Sequence, residues 1–262
     1  MPRVCAYCDS VGPLTRDHVW PSAFLDRIGR TAAHFSVRAG RVHGSDYVVN
    51  DVCAECNSRR LSDLDEYLCR LYDSHLRHLQ DFDSVVSFEF DGDLLTRMLL
   101  KIAYNSARLG GSDSAPLRAV RKYIIGVEPR PARIATFLEV VSPSLVDDPS
   151  MPGGKRKVMP EMYRSAVTGF LANGAESIQT RMIAVNSYYF HLMLPAPELQ
   201  VEKFEQLAEE FSRRIGGVVR LAPQGGRIEL RSSTQDGLRS IVPMLSANRE
   251  QYESYFARRR SE

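Results

Sequence analysis

The stretch LTRDHVWPSAF, Leu14 to Phe24, places an acid and an imidazole side by side, Asp17-His18. It lies between two short cysteine motifs, CAYC (Cys5, Cys8) and CAEC (Cys53, Cys56). A CxxC knuckle presents two thiolates to one tetrahedral zinc ion, and two knuckles complete a closed structural site. The segment from Asp9 to Val52 exceeds the spacer of a minimal zinc ribbon, so it must hold more than a short hairpin. Two pairs of free thiols, or a redox CxxC, are the alternatives. The redox reading lacks the strand-then-helix context of a thioredoxin-like motif.

Outward from this stretch, Leu14 to Val19 reads as a strand. Tyr47, Val48 and Val49 read as another, leading into the second knuckle. After Cys56 the run NSRRLSDLDEYLCRLYDSHLRHL carries Leu61, Leu64, Leu68, Leu71 and Leu79 at helical spacing. Cys69 within it reads as a buried thiol. The order is knuckle, strand ending in Asp-His, spacer, strand, knuckle, helix. A regular strand turns adjacent side chains to opposite faces. Asp17 and His18 can therefore serve one site only if the strand bends or ends there, and Pro21 favours such an end.

That order resembles the HNH endonucleases, whose ββα-metal (His-Me finger) core is often pinned by a zinc held by four cysteines. The resemblance covers roughly residues 3–70 and rests on CxxC, the acid–His pair followed by a proline, and CxxC with Asn57 directly after the last cysteine. It implies that His18 is the general base and that Asp17 and Asn57 hold a catalytic Mg²⁺ or Mn²⁺. Asn50, just upstream of the second knuckle, is the candidate that orients the base. Cys5, Cys8, Cys53 and Cys56 would hold a structural Zn²⁺. Arg16, Arg59 and Arg60 are candidates for phosphate contact, and solvated surface charge is the alternative for each. Nucleases of this kind often act in prokaryotic phage defence or mobile elements.

The chemistry suits these residue types. An imidazole can take a proton from water. A hard divalent ion with oxygen ligands can bind a phosphate oxygen and the leaving oxygen. DNA is the partner this implies. The competing reading is a non-catalytic zinc-finger module that binds nucleic acid and carries an effector or partner domain. Asp17, His18 and Asn57 together argue against it, since binding alone does not need that trio. A cofactor-dependent metabolic enzyme lacks support, as no glycine-rich phosphate loop and no GxSxG is present.

The whole is expected to be α+β, a small zinc-pinned ββα-metal finger followed by a mixed α+β domain. The expected domains are 1–80 and 85–262, the second serving target recognition, oligomerisation, a partner protein or sensing. In it, residues 91–111 read as a helix with Leu94, Leu95, Met98, Leu99, Ile102 and Ala103 on one face. Residues 201–217 read as a second amphipathic helix. RIATFLEVV and RMIAVNSYYFHLML read as strands, and VVRLAPQGGRIELRSS as a hairpin around Gln224-Gly225-Gly226. SPSLVDDPSMPGGKRKVMP, residues 142–160, reads as a long exposed basic loop. Gly237 to Arg260 reads as a helix.

Formal net charge is only +2 over 262 residues, too small by itself to identify a nucleic-acid partner. The first hundred residues contain no lysine, so every cation there is arginine, whose planar fork suits phosphate. A compositional bias gives the same pattern. The N-terminus lacks a signal-peptide h-region and no run reaches transmembrane length, so the expected location is the cytoplasm, away from membranes. There, cysteines serve as ligands or free thiols more often than in disulfides. Trp20 is expected to pack beneath the finger.

Overall fold

A computed structural model of the chain describes residues 3–29, 34–36, 41–43, 47–110, 115–148, 151–171, 177–194 and 199–234. Strands and helices both contribute, as an α+β chain requires. In the finger, β1 (Leu14–His18) is followed by α1 (Ser22–Ile28), which Pro21 starts and Gly29 ends in a left-handed cap. A short ribbon, β2 (His34–Ser36) and β3 (Arg41–His43), fills the spacer between the knuckles. β4 (Val48–Cys53) then returns antiparallel to β1. The following helix has its regular part at α2 (Ser62–Leu71), flanked by wider π-helical turns at Cys56–Leu61 and Tyr72–Leu76.

The rest of the chain adds β5 (Val85–Phe90), then α3 (Gly92–Gly110), α4 (Ala115–Ala119) and α5 (Arg121–Ile124). β6 (Ala135–Ser142) is buried along its whole length. Next come β7 (Ser144–Asp147), β8 (Lys155–Val158), β9 (Tyr163–Leu171), β10 (Ser177–Val185) and β11 (Tyr188–Leu194). α6 (Val201–Ile215), β12 (Val219–Arg220), β13 (Gly226–Arg231) and β14 (Ser233–Thr234) complete the described elements. The main sheet has six strands in the order β12-β6-β11-β10-β9, with β14 pairing in parallel along the β12 edge of β6.

Alternation on the buried strands explains the layering. Leu138, Val140, Ile183, Val185, Phe190 and Leu192 face a cluster that also contains α3 and the finger. Ala135, Phe137, Ile178 and Met193 face α6 through Phe204, Leu207 and Phe211. The first cluster also holds Cys5, Val52, Leu64 and Leu68, so apolar packing runs unbroken from the finger through α3 to the sheet. Trp20 lies buried on Phe24 and against Tyr163, as expected of a packing residue.

Two expectations change. The stretch 142–160 is a β-hairpin rather than a loop: β7 pairs with β8 from Ser144↔Val158 to Asp147↔Lys155. Its Pro-Gly-Gly, with both glycines at positive φ, belongs to the turn between those strands. Its basic run is partly neutralised, because Arg156 pairs with Asp148 at 2.6 Å and Lys155 approaches Asp147 at 3.8 Å. Residues 218–233 do not form a hairpin on themselves, since β12 joins β6 and β13 joins β5. Gly225 and Gly92 allow the connecting backbones to touch there, where any Cβ would collide with carbonyl oxygens. The helix expected at 237–260 lies outside the described residues.

Candidate functional site

The zinc frame is the best-formed part. The four Sγ atoms of Cys5, Cys8, Cys53 and Cys56 all lie within 4.8 Å of one another, with Cys8 and Cys53 3.6 Å apart. Tetrahedral zinc with Zn–S near about 2.3 Å needs sulfurs roughly 3.8 Å apart. The backbone N–H of Cys53 donates to the Cys5 sulfur at 3.3 Å and that of Cys56 to the Cys53 sulfur at 3.5 Å. Burial pushes the Cys8 thiol up, but hydrogen bonds with Ser10 and the neighbouring thiols outweigh it and bring it to about 6. Burial leaves Cys56 well above its usual value. Cys69 is buried apart from them, within Leu-rich α2.

The knuckles bring the start of the helix against β1. The Asn57 amide donates to Thr15 Oγ1 at 2.9 Å and to the Arg16 carbonyl at 2.8 Å. It thus lies beside Asp17-His18, as its place after the second knuckle suggests. The strand is irregular there. Thr15 pairs with Val52 but Asp17 pairs with Val49, so β4 carries one extra residue at Asn50-Asp51, opposite Arg16. β1 ends at His18. His18 pairs with Val48, and Asn50 follows two residues along β4 from Val48, so His18 and exposed Asn50 share a face of the ribbon.

Asp17 takes the opposite face and is 3% exposed. Its surroundings come from α3. Lys101 Nζ is 3.2 Å from Asp17 Oδ1, and the Asn105 amide donates to Asp17 Oδ2 at 2.7 Å. The same amide donates to the His18 carbonyl at 3.1 Å, fixing the backbone that carries the imidazole. The Lys101 ammonium also donates to Asp65 Oδ1. Burial raises the Asp65 carboxyl above its usual value; Lys101 and His18 pull it down, and Asp17 pushes it up. The network continues outward, with Tyr7 and Arg108 donating to Asn105 Oδ1 at 2.7 and 2.5 Å. Arg108 lies over the Tyr104 ring and donates to Asp51 at 2.5 Å.

A divalent ion at Asp17 does not fit this arrangement. Both Asp17 oxygens are held by N–H donors, one of them an ammonium, while Asn57 is anchored to β1 through its amide nitrogen and not through the carbonyl oxygen a metal would take. The zinc frame passes the corresponding test, since four converging thiols are the donor set zinc takes.

The arginines divide. Arg16 is exposed on β1. Arg59 is 78% exposed and 3.6 Å from Glu55. Arg60, half-buried, donates from Nη1 to the Ile125 carbonyl just past α5, so part of its fork is engaged within the chain. Sequence reading missed Lys101, Asn105 and Arg108. Their spacing at i, i+4 and i+7 on a helix, three polar groups in one stripe, was the available signal.

No protein-family model, curated protein or solved structure matches the chain. Among the described residues, no helix is long and apolar enough to cross a membrane.

Proposed function

We propose that the chain is an HNH-type endonuclease that hydrolyses phosphodiester bonds in DNA, with zinc in the four-cysteine frame. The observation that supports this most is the bond pair from Asn57 to Thr15 and Arg16, which lays the helix start against the strand ending in His18. The meeting of knuckle, strand, knuckle and helix supports the HNH reading. His18 accepts a proton from the attacking water. Asn105, through the His18 carbonyl, and the strand end hold the base in place. Asn50, on the same ribbon face, is the residue assigned to orient the imidazole. Arg16, two residues before His18 and exposed, supplies positive charge for the phosphate.

A plasmid-cleavage assay of wild type against His18→Ala tests this. Loss of a general base lowers the rate by about 10²–10⁴-fold. Equal cutting by two zinc-loaded, equally folded proteins removes His18 from the reaction. One observation favours a second reading, a zinc module that binds nucleic acid without cutting it: Asp17 is committed to Lys101 and Asn105. On that reading neither protein cuts, and both retard duplex DNA equally in a gel.

A further inference from the structure

Lys101 is the first lysine of the chain, and it is 1% exposed. A buried ammonium is retained only where anions and hydrogen-bond acceptors surround it. It contacts Asp17 Oδ1 at 3.2 Å and Asp65 Oδ1 more closely still. The two carboxylates come from different elements, β1 and α2, and meet at the same ammonium. A carboxylate pair converging in this way is oxygen-ligand chemistry of the kind that takes Mg²⁺ or Mn²⁺. Here the point of convergence holds the end of a lysine from α3. Asn105, one helical turn further on, occupies the other Asp17 oxygen and is itself fixed by Tyr7 and Arg108. A divalent ion entering at Asp17 would have to displace a buried ammonium and an amide that is bonded on both sides.

We propose that Lys101 is the resident cation of the Asp17 site, so that the finger takes up one metal ion, zinc, and its carboxylates are a lysine site. The proposal rests on the geometry of the finger and stands whether or not the chain cuts DNA.

Titration of the zinc-loaded full-length protein with Mn²⁺, followed by the electron paramagnetic resonance of free Mn²⁺, tests it without any nucleic acid. Wild type leaves the signal undiminished into the millimolar range. Lys101→Met, its zinc content and circular dichroism unchanged, takes up one equivalent through the released carboxylates, and Lys101→Met/Asp17→Asn takes up none. Uptake by wild type that Asp17→Asn abolishes overturns the proposal, as does a folded Lys101→Met protein that binds no Mn²⁺. If Lys101→Met does not fold, wild type against Asp17→Asn decides alone. Failure of the nuclease reading shows in the plasmid assay and leaves this titration unaffected.

Discussion

The finger holds two concentrations of anionic groups, and they are neutralised in opposite ways. The four thiols of the knuckles face one another with backbone N–H groups as their main protein donors. Four converging thiols are a donor set that gains its stability from an external ion. Asp17 and Asp65 lie on the helix side of the same ribbon and receive Lys101 from a helix outside the finger. One cluster has the donor set that a metal ion could complete; the other is completed by a distant part of the chain. A cation's source can therefore be read from what else reaches the anions, more reliably than from the anions themselves.

The contrast is easiest to break at the thiols. Chelation of zinc, or Cys53→Ser, is expected to abolish the cooperative unfolding transition of the finger, since structural zinc in small fingers is worth about 10–16 kcal/mol. Near-ultraviolet circular dichroism during chelator titration reads this out, and a native spectrum with zinc gone refutes the frame. Next comes Lys101→Ala, which leaves a buried carboxylate without its cation at a cost of about 3–5 kcal/mol. Adding Asp17→Asn should recover part of that loss. Urea midpoints of the single and double variants check it, and additive losses would mean that the two groups are not coupled.

A smaller effect comes from the far side of the sheet. There burial holds the His191 imidazole down to about 4, although Glu139, 3.5 Å away, favours the charged ring. Above the ordinary imidazole value, near about 6.5, both folded and unfolded rings are neutral and this stability is complete. As pH falls toward 4, the unfolded chain binds a proton that the folded chain refuses, so stability drops by about 1–3 kcal/mol. His191→Gln should flatten that part of the wild-type curve, measured as the difference in urea stability between pH 7 and pH 5; parallel curves would clear the imidazole. Asn57→Ala, which removes two hydrogen bonds to β1, is expected to cost about 1–2 kcal/mol in the same measurement. Arg59→Ala, at the exposed Glu55 pair, should change stability by less than about 0.5 kcal/mol.

The finger was legible because its signals are local. Two CxxC spacings, the dipeptide Asp17-His18 and the placing of Asn57 directly after Cys56 each concern neighbours in sequence. The irregularity expected at Asp17-His18 is present one step earlier, and its extra residue lies in β4, which no count along β1 alone could locate. The α3 contribution was hidden for a physical reason. A one-faced apolar stripe was expected, yet α3 is buried nearly all round, with Lys101 and Asn105 among the buried residues. What makes a buried lysine acceptable is an acid in a distant strand, and such a pairing leaves no mark on local periodicity. The β7–β8 hairpin was missed because a Pro-Gly-Gly turn has the composition of a loop.

α3 is a wall common to the finger and the sheet, and synthesis gives that wall a place in time. All four cysteines leave the ribosome before Lys101 does. A nascent chain can thus close its knuckles on zinc while Asp17 has no ammonium to meet, and domains generally fold from the N-terminus as they emerge. Until α3 is made, Asp17 lacks both its ammonium and the amide that holds its other oxygen.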